Sequence, residues 1–156
     1  MFRFIVFLIS HGIAMAAGVA LGIYLLPILI APDGPSDAAV ANVSERAIFT
    51  AQFRKDLPGS DFLHWGEGEI SISARRISFN GELAPGPDYR LYLVPKMALD
   101  EQEFLALKDR SAYIGDINTF DNFILSIPEN IKPAEFTAVV VWCESFGEFI
   151  SAASYQ

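Results

Sequence analysis

The sequence holds one cysteine and two histidines in 156 residues. The single cysteine, Cys143, cannot close an intramolecular disulfide. The histidines are His11 and His64, and only His64 lies outside the apolar N-terminal segment, so a bis-histidine haem or a histidine-rich metal site is excluded from the rest of the chain. No Cys-x-x-Cys-His run occurs, which excludes covalent c-type haem attachment. Neither Gly-x-Ser-x-Gly nor a Gly-rich phosphate loop is present. Basic residues are scarce, with 11 Lys and Arg against 19 Asp and Glu for a net charge of −8. That balance argues against nucleic-acid binding, which needs a basic face for the phosphates. The chain is nonetheless 52% hydrophobic, too apolar for intrinsic disorder.

Charge is missing altogether from Phe4 to Ile30. A helix there reaches about 40 Å at about 1.5 Å per residue, against a hydrocarbon core of about 30 Å. A secretory signal core is shorter and is followed closely by a small-residue cleavage site. Ala14-Met15-Ala16 lies inside this segment and Ala39-Val40-Ala41 well beyond it, which favours an uncleaved anchor over 1–31. Pro27 near its end can terminate the helix. Gly18 and Gly22 have the Gly-x-x-x-Gly spacing that allows two membrane helices to approach, so a dimer through the anchor is a candidate assembly. Arg3 precedes the segment, while Asp33 and Asp37 follow it. The positive-inside rule then leaves the N-terminus in the cytoplasm and the C-terminal domain outside, on the periplasmic or extracellular face of the cell membrane.

All the carboxylates lie beyond residue 32, so residues 33–156 carry 10 basic and 19 acidic residues, a net −9. Residues 32–50, rich in Pro, Ala, Asp and Ser at their start, read as a tether, and 51–156 as one domain. Short alternating stretches at Glu69–Ala74, Arg76–Asn80 and Tyr89–Val94 predict strands, as do Phe120–Ile127 and Phe149–Ser154. Pro58-Gly59, Asn80-Gly81, Pro85-Gly86-Pro87 and Pro128 read as the turns between strands. Ala138–Trp142 is continuously apolar and predicts a central strand buried on both faces. Leu99–Lys108, acidic in its first turn, predicts a short helix. The pattern is mainly β: an antiparallel sandwich, jelly-roll or Greek-key-like, with one short helix after a single transmembrane helix.

Few residues can carry chemistry. Cys143 ends the most apolar strand, between Trp142 and Glu144. It reads either as a small buried hydrophobe or as a redox thiol, metal ligand or haem ligand. Glu144 beside it would raise the thiol pKa. His64 lies in Asp61-Phe62-Leu63-His64-Trp65. Asp116, Asn118, Asp121 and Asn122 lack the glycine turn of a calcium loop and read as turn chemistry, so no metal site is expected.

Two stretches carry a family resemblance. They are Asn80-Gly-Glu-Leu-Ala-Pro-Gly86-Pro87-Asp88-Tyr-Arg-Leu-Tyr92-Leu, and Ala138-Val-Val-Val-Trp142-Cys143-Glu-Ser-Phe146-Gly-Glu-Phe149-Ile-Ser-Ala152. Together they resemble the DM-13 domain, named for its association with DOMON domains and often labelled an electron-transfer domain. The resemblance covers about residues 55–154 and implies a β-sandwich with a redox role centred on the cysteine of the Trp-Cys pair. The resemblance implies that this cysteine acts as a bare thiol or as a ligand to a prosthetic group such as non-covalent haem. Carried onto this chain, the implied site is Cys143, with Trp142, His64 and Asp88 as candidate cofactor-binding neighbours. A redox partner protein is implied with it. Tyr89-Arg90 after the Gly-Pro-Asp departs from the apolar residue usual there, and the helix at 99–108 lengthens the next connection. A different class of reading is a non-catalytic surface binding or adhesion module in which Cys143 is a core residue.

Overall fold

A computed structural model describes the whole chain, Met1–Gln156. Its elements are helices α1 (Phe2–Ile30) and α2 (Asp37–Ser44), and strands β1 (Phe49–Phe53), β2 (Gly66–Ile72), β3 (Arg76–Leu83) and β4 (Tyr89–Val94). Helix α3 (Glu101–Leu107) follows, then β5 (Ala112–Ile117), β6 (Phe123–Ser126), β7 (Ala138–Cys143) and β8 (Glu148–Ser154). Helix α1 buries none of its residues and is long and apolar enough to cross a membrane. Pro27 does not end it. The helix runs one more turn, and the Ala31 N–H still bonds the Pro27 carbonyl.

The strands form two antiparallel sheets, ordered β1-β2-β3-β6 and β5-β4-β7-β8. The chain crosses between them from β3 to β4, back from β5 to β6, and again from β6 to β7. In consequence β6 lies beside β3, and β7 beside β4, a Greek-key relation. Alternation puts Ile70, Ile72, Ile77 and Phe79 of one sheet against Leu91, Leu93, Val139 and Val141 of the other, in a single core. Phe79 stacks between Phe53 and Phe123, with ring centroids 5.4 and 5.0 Å away.

The outer face of the second sheet is also dry. Tyr92, Val140, Trp142 and Phe149 pack there beneath Phe104 and Leu107 of α3. Strand β7 is therefore buried along its whole length, as its unbroken apolar run predicts.

Two expectations need correction. The segment 32–50 is not a simple tether. Ser36 caps α2 by accepting the Ala39 N–H at 3.3 Å, Val40 and Val43 are buried against the first sheet, and β1 begins at Phe49. An i, i+3 apolar pair inside an Ala, Asp and Ser composition gives too faint a signal to see in the sequence. Nor is Asn80-Gly81 a turn. β3 runs straight through it, because Gly81 faces Gly68 across the ladder, where two backbones pass side by side. The turn falls at Ser73–Arg75 instead. There the Ser73 hydroxyl accepts the Arg76 N–H at 2.9 Å and donates to the Arg76 carbonyl at 2.8 Å. A smaller difference lies ahead of β6, which starts at Phe123 because Thr119 turns back to donate to the Asn122 carbonyl at 2.9 Å.

Candidate functional site

Cys143 is the last residue of β7. The period of two along the strand points Val139, Val141 and Cys143 between the sheets, and Val140 and Trp142 towards α3. The thiol is 3% exposed and borders a cavity of about 340 Å³ at one end of the sandwich. Leu63 and His64 of the β1–β2 connection line it, as do Pro85–Pro87 before β4, Tyr89, Phe146 and Glu148. Ala20, Ile23 and Tyr24 of α1 close its outer side.

Short-range hydrogen bonds shape this end. The Gly147 N–H donates to the Cys143 carbonyl at 2.9 Å, and Gly147 adopts φ +69°, the left-handed conformation that closes the β7–β8 turn. The Glu144 N–H reaches the Asp88 carbonyl at 2.9 Å, and the Ser145 hydroxyl donates to the Asp88 carboxylate at 2.6 Å. These bonds tie the Gly-Pro-Asp turn to the loop after Cys143.

Burial pushes the Cys143 thiol above the ordinary thiol value. The backbone N–H groups of Phe146, Asp88 and Ser145 work the other way by stabilising the thiolate, and the Asp88 carboxylate adds to the rise. The neighbouring carboxylate that opposes the thiolate is thus Asp88, not Glu144. The strand turns Glu144 away, where it accepts from Lys108 at 2.6 Å and from the Tyr92 hydroxyl at 3.0 Å. Tyr89, also on the cavity, is held well above the usual phenol range, chiefly by burial.

Of the four residues singled out in the sequence, Cys143 and His64 line the cavity together. Asp88 is not part of the lining: it sits between the lining residues Pro87 and Tyr89, accepts from Ser145 and lies 3.6 Å from Arg90. Trp142 lies on the opposite face of the sheet, its ring 4.8 Å from that of Phe104. His64 is oriented by Asp61. One carboxylate oxygen accepts the Leu63 and His64 N–H groups at 2.7 and 2.8 Å, and Asp61 Oδ2 lies 3.1 Å from the ring Nδ1. Partial burial raises the Asp61 carboxyl, but these bonds outweigh it and hold the group below the usual carboxylate range. With Nδ1 engaged, Nε2 is the free ring nitrogen. A carboxylate holding the far nitrogen is the arrangement that orients histidine ligands in metal sites. No three His, Cys, Asp or Glu side chains converge in the structure.

Tyr89, Phe146 and Tyr24 are cavity residues that the sequence reading did not single out. Tyr89 and Phe146 each lie within three residues of Asp88 or Cys143, the one signal by which the sequence could have shown them. Nothing in the sequence brings Tyr24 to this place.

Lys108 holds the Glu144 carboxyl below its ordinary value through its hydrogen bond, against the effect of burial, and Tyr92 and Arg90 add to the lowering. A depressed carboxyl pKa stabilises the fold above the unfolded-state pKa and loses that contribution as pH falls through the folded-state value. Glu144→Gln is therefore expected to unfold at lower urea than the parent at pH 7. The gap should close as pH falls below the ordinary glutamate value of about 4.3 and on through the depressed folded-state value, where the parent carboxyl loses its charge. Urea titrations of both chains across that range check it.

Comparison with known proteins gives one match. No curated protein and no solved structure matches the chain. The family model described as Electron transfer DM13 matches residues 53–155, which begins at Phe53, the last residue of β1, takes in β2 to β8 and contains every domain residue of the cavity. The chain belongs to the Electron transfer DM13 family.

Proposed function

We propose that this protein is a membrane-anchored redox domain whose electron-transfer site is the cavity at Cys143, held outside the cytoplasm by α1. The observation that carries the reading is the cavity itself. A lone buried thiol borders it, and a histidine oriented by Asp61 lines the same cavity. Family membership supports the redox class. A single cysteine cannot cycle between dithiol and disulfide within the chain. Electron transfer through a held group needs no second thiol.

The donor set suits a group that brings most of its own ligands, such as non-covalent haem. Cys143 would bind it as thiolate, aided by the N–H groups of Phe146, Asp88 and Ser145. His64, fixed by Asp61 through Nδ1, lines the same cavity. Bound there, such a group would supply one-electron chemistry. Phe146, Leu63 and the prolines would keep water from it. The burial that raises the thiol pKa favours the second reading, a surface binding module in which Cys143 is a core residue.

One experiment separates them. The full chain is purified from membranes in detergent and its visible spectrum recorded, as isolated and after addition of hemin, for the parent and Cys143→Ser. The redox reading expects an absorption band in the parent that shifts on reduction and is lost in Cys143→Ser. A serine variant with the parent's redox behaviour overturns it. A parent without a band, whose thiol reacts with iodoacetamide only after unfolding, supports the core-residue reading.

A further inference from the structure

Large exposed apolar side chains line the Cys143 cavity, as Leu63 and Phe146 do, or adjoin the lining in sequence, as Phe62 does. Phe62 is 84% exposed, Phe146 54% and Leu63 40%. Phe62 and Leu63 belong to the loop after β1 and Phe146 to the β7–β8 turn, and both loops lie at the same end of the sandwich. Leu63 and Phe146 share the cavity wall with Ile23 and Tyr24 of α1. Exposed apolar clusters of this kind mark interaction surfaces.

The chain itself identifies the partner. Counted from Arg3, about 20 residues at about 1.5 Å each cross the hydrocarbon and bring Tyr24 to its far boundary. Tyrosine is enriched at that depth. The connection beyond is short. Helix α1 ends at Ile30, and a Cβ on Gly34 would already run into Asp121 and the Asn122 backbone. The Asn122 side chain donates to the Asp37 carboxylate at 2.7 Å and to the Pro35 carbonyl at 3.4 Å. Four residues span at most about 14 Å when fully extended. The loop that holds Gly34, between β5 and β6, is at the cavity end of the sandwich. That end cannot leave the membrane surface.

Resting on the reading of α1 as a membrane span, we propose that the rim of Phe62, Leu63 and Phe146 is seated in the bilayer that α1 crosses, so that the Cys143 cavity opens onto lipid. The partner surface is the bilayer itself. Asp61, His64 and Glu148 stand beside the rim at headgroup level, and the domain is acidic. Seating is thus driven by apolar burial, not by attraction to anionic lipid.

The test uses the full chain in phosphatidylcholine vesicles, with and without bromine on the acyl chains. Phe62→Trp and Phe146→Trp report on the rim. Lys132→Trp reports on the opposite end, in the exposed loop between β6 and β7. Each is read as emission gained over the parent, which removes the signal of Trp65 and Trp142. The expected result is that brominated lipid quenches the added emission of Phe62→Trp and Phe146→Trp several-fold more than that of Lys132→Trp. Equal quenching at all three positions, in protein that floats with the vesicles, overturns the seating while the anchor stands. Protein that does not float with the vesicles overturns the anchor and the seating together.

Discussion

Trp142→Ala is expected to cost about 3–5 kcal/mol of folding stability, the range for truncating a fully buried aromatic. The indole is 1% exposed and fills the space between the second sheet and α3. It packs on Phe104, and the Lys108 ammonium stands 5.5 Å from its ring. Alanine leaves a cavity that a helix of two turns cannot close. Since domains of this kind are stable by about 5–15 kcal/mol, the loss is a large share of the whole. Trp142→Phe is expected to cost much less. The indole Nε1 has no hydrogen-bond partner, so phenylalanine gives up volume but no bond. Thermal unfolding of the full chain, followed by near-ultraviolet circular dichroism, measures both. A loss below about 1 kcal/mol for Trp142→Ala would mean that the outer face of the second sheet is not a true core.

Gly68→Ala comes next in size. Gly68 has φ +144°, a conformation that side chains rarely adopt, and a Cβ there would run into the Asn80 carbonyl and lie 2.5 Å from the Gly81 Cα. Both obstacles are backbone of β3, so no rotamer change relieves them. The backbone strain is worth about 1–3 kcal/mol before the steric conflict is added. Gly115→Ala serves as the contrast. Its Cβ would meet only the Leu125 side chain, at 3.5 Å, and the change should fall within about 0.5 kcal/mol of the parent. Urea midpoints of the two variants decide it, and equal midpoints would show that the Gly68–Gly81 approach is not obligatory.

The parts of the fold visible in the sequence were those with strong periodicity. Ala138–Trp142 announced a strand buried on both faces, and Phe4–Ile30 an uncharged helix. Local chemistry misled where one signal had two meanings. Asn80-Gly81 has the composition of a hairpin turn, yet the glycine is there to let β2 and β3 pass closely. Val40 and Val43 make a helix face of two residues, too small to detect without the sheet that covers it. At the site, His64 and Cys143 were legible as residue types, and the Trp-Cys motif linked the second to the family. Their meeting in one cavity depends on connections that cross between the sheets. Trp142 illustrates the limit. It is next to Cys143 in sequence, but one step along a strand is a half-turn in space.

That half-turn ties two remote environments to a single coordinate. The ladder holds Tyr89 opposite Cys143 on one side, while a bulge between Val141 and Trp142 fixes the pairing with β8 on the other. Sliding β7 by one position would send the sulfur under α3 and drive the indole into the cavity, since every side chain would change faces at once. Strand β7 thus behaves as a key cut on both edges. A change that loosens the packing beneath α3 also loosens the position of the thiol, although no side chain of that helix touches the cavity.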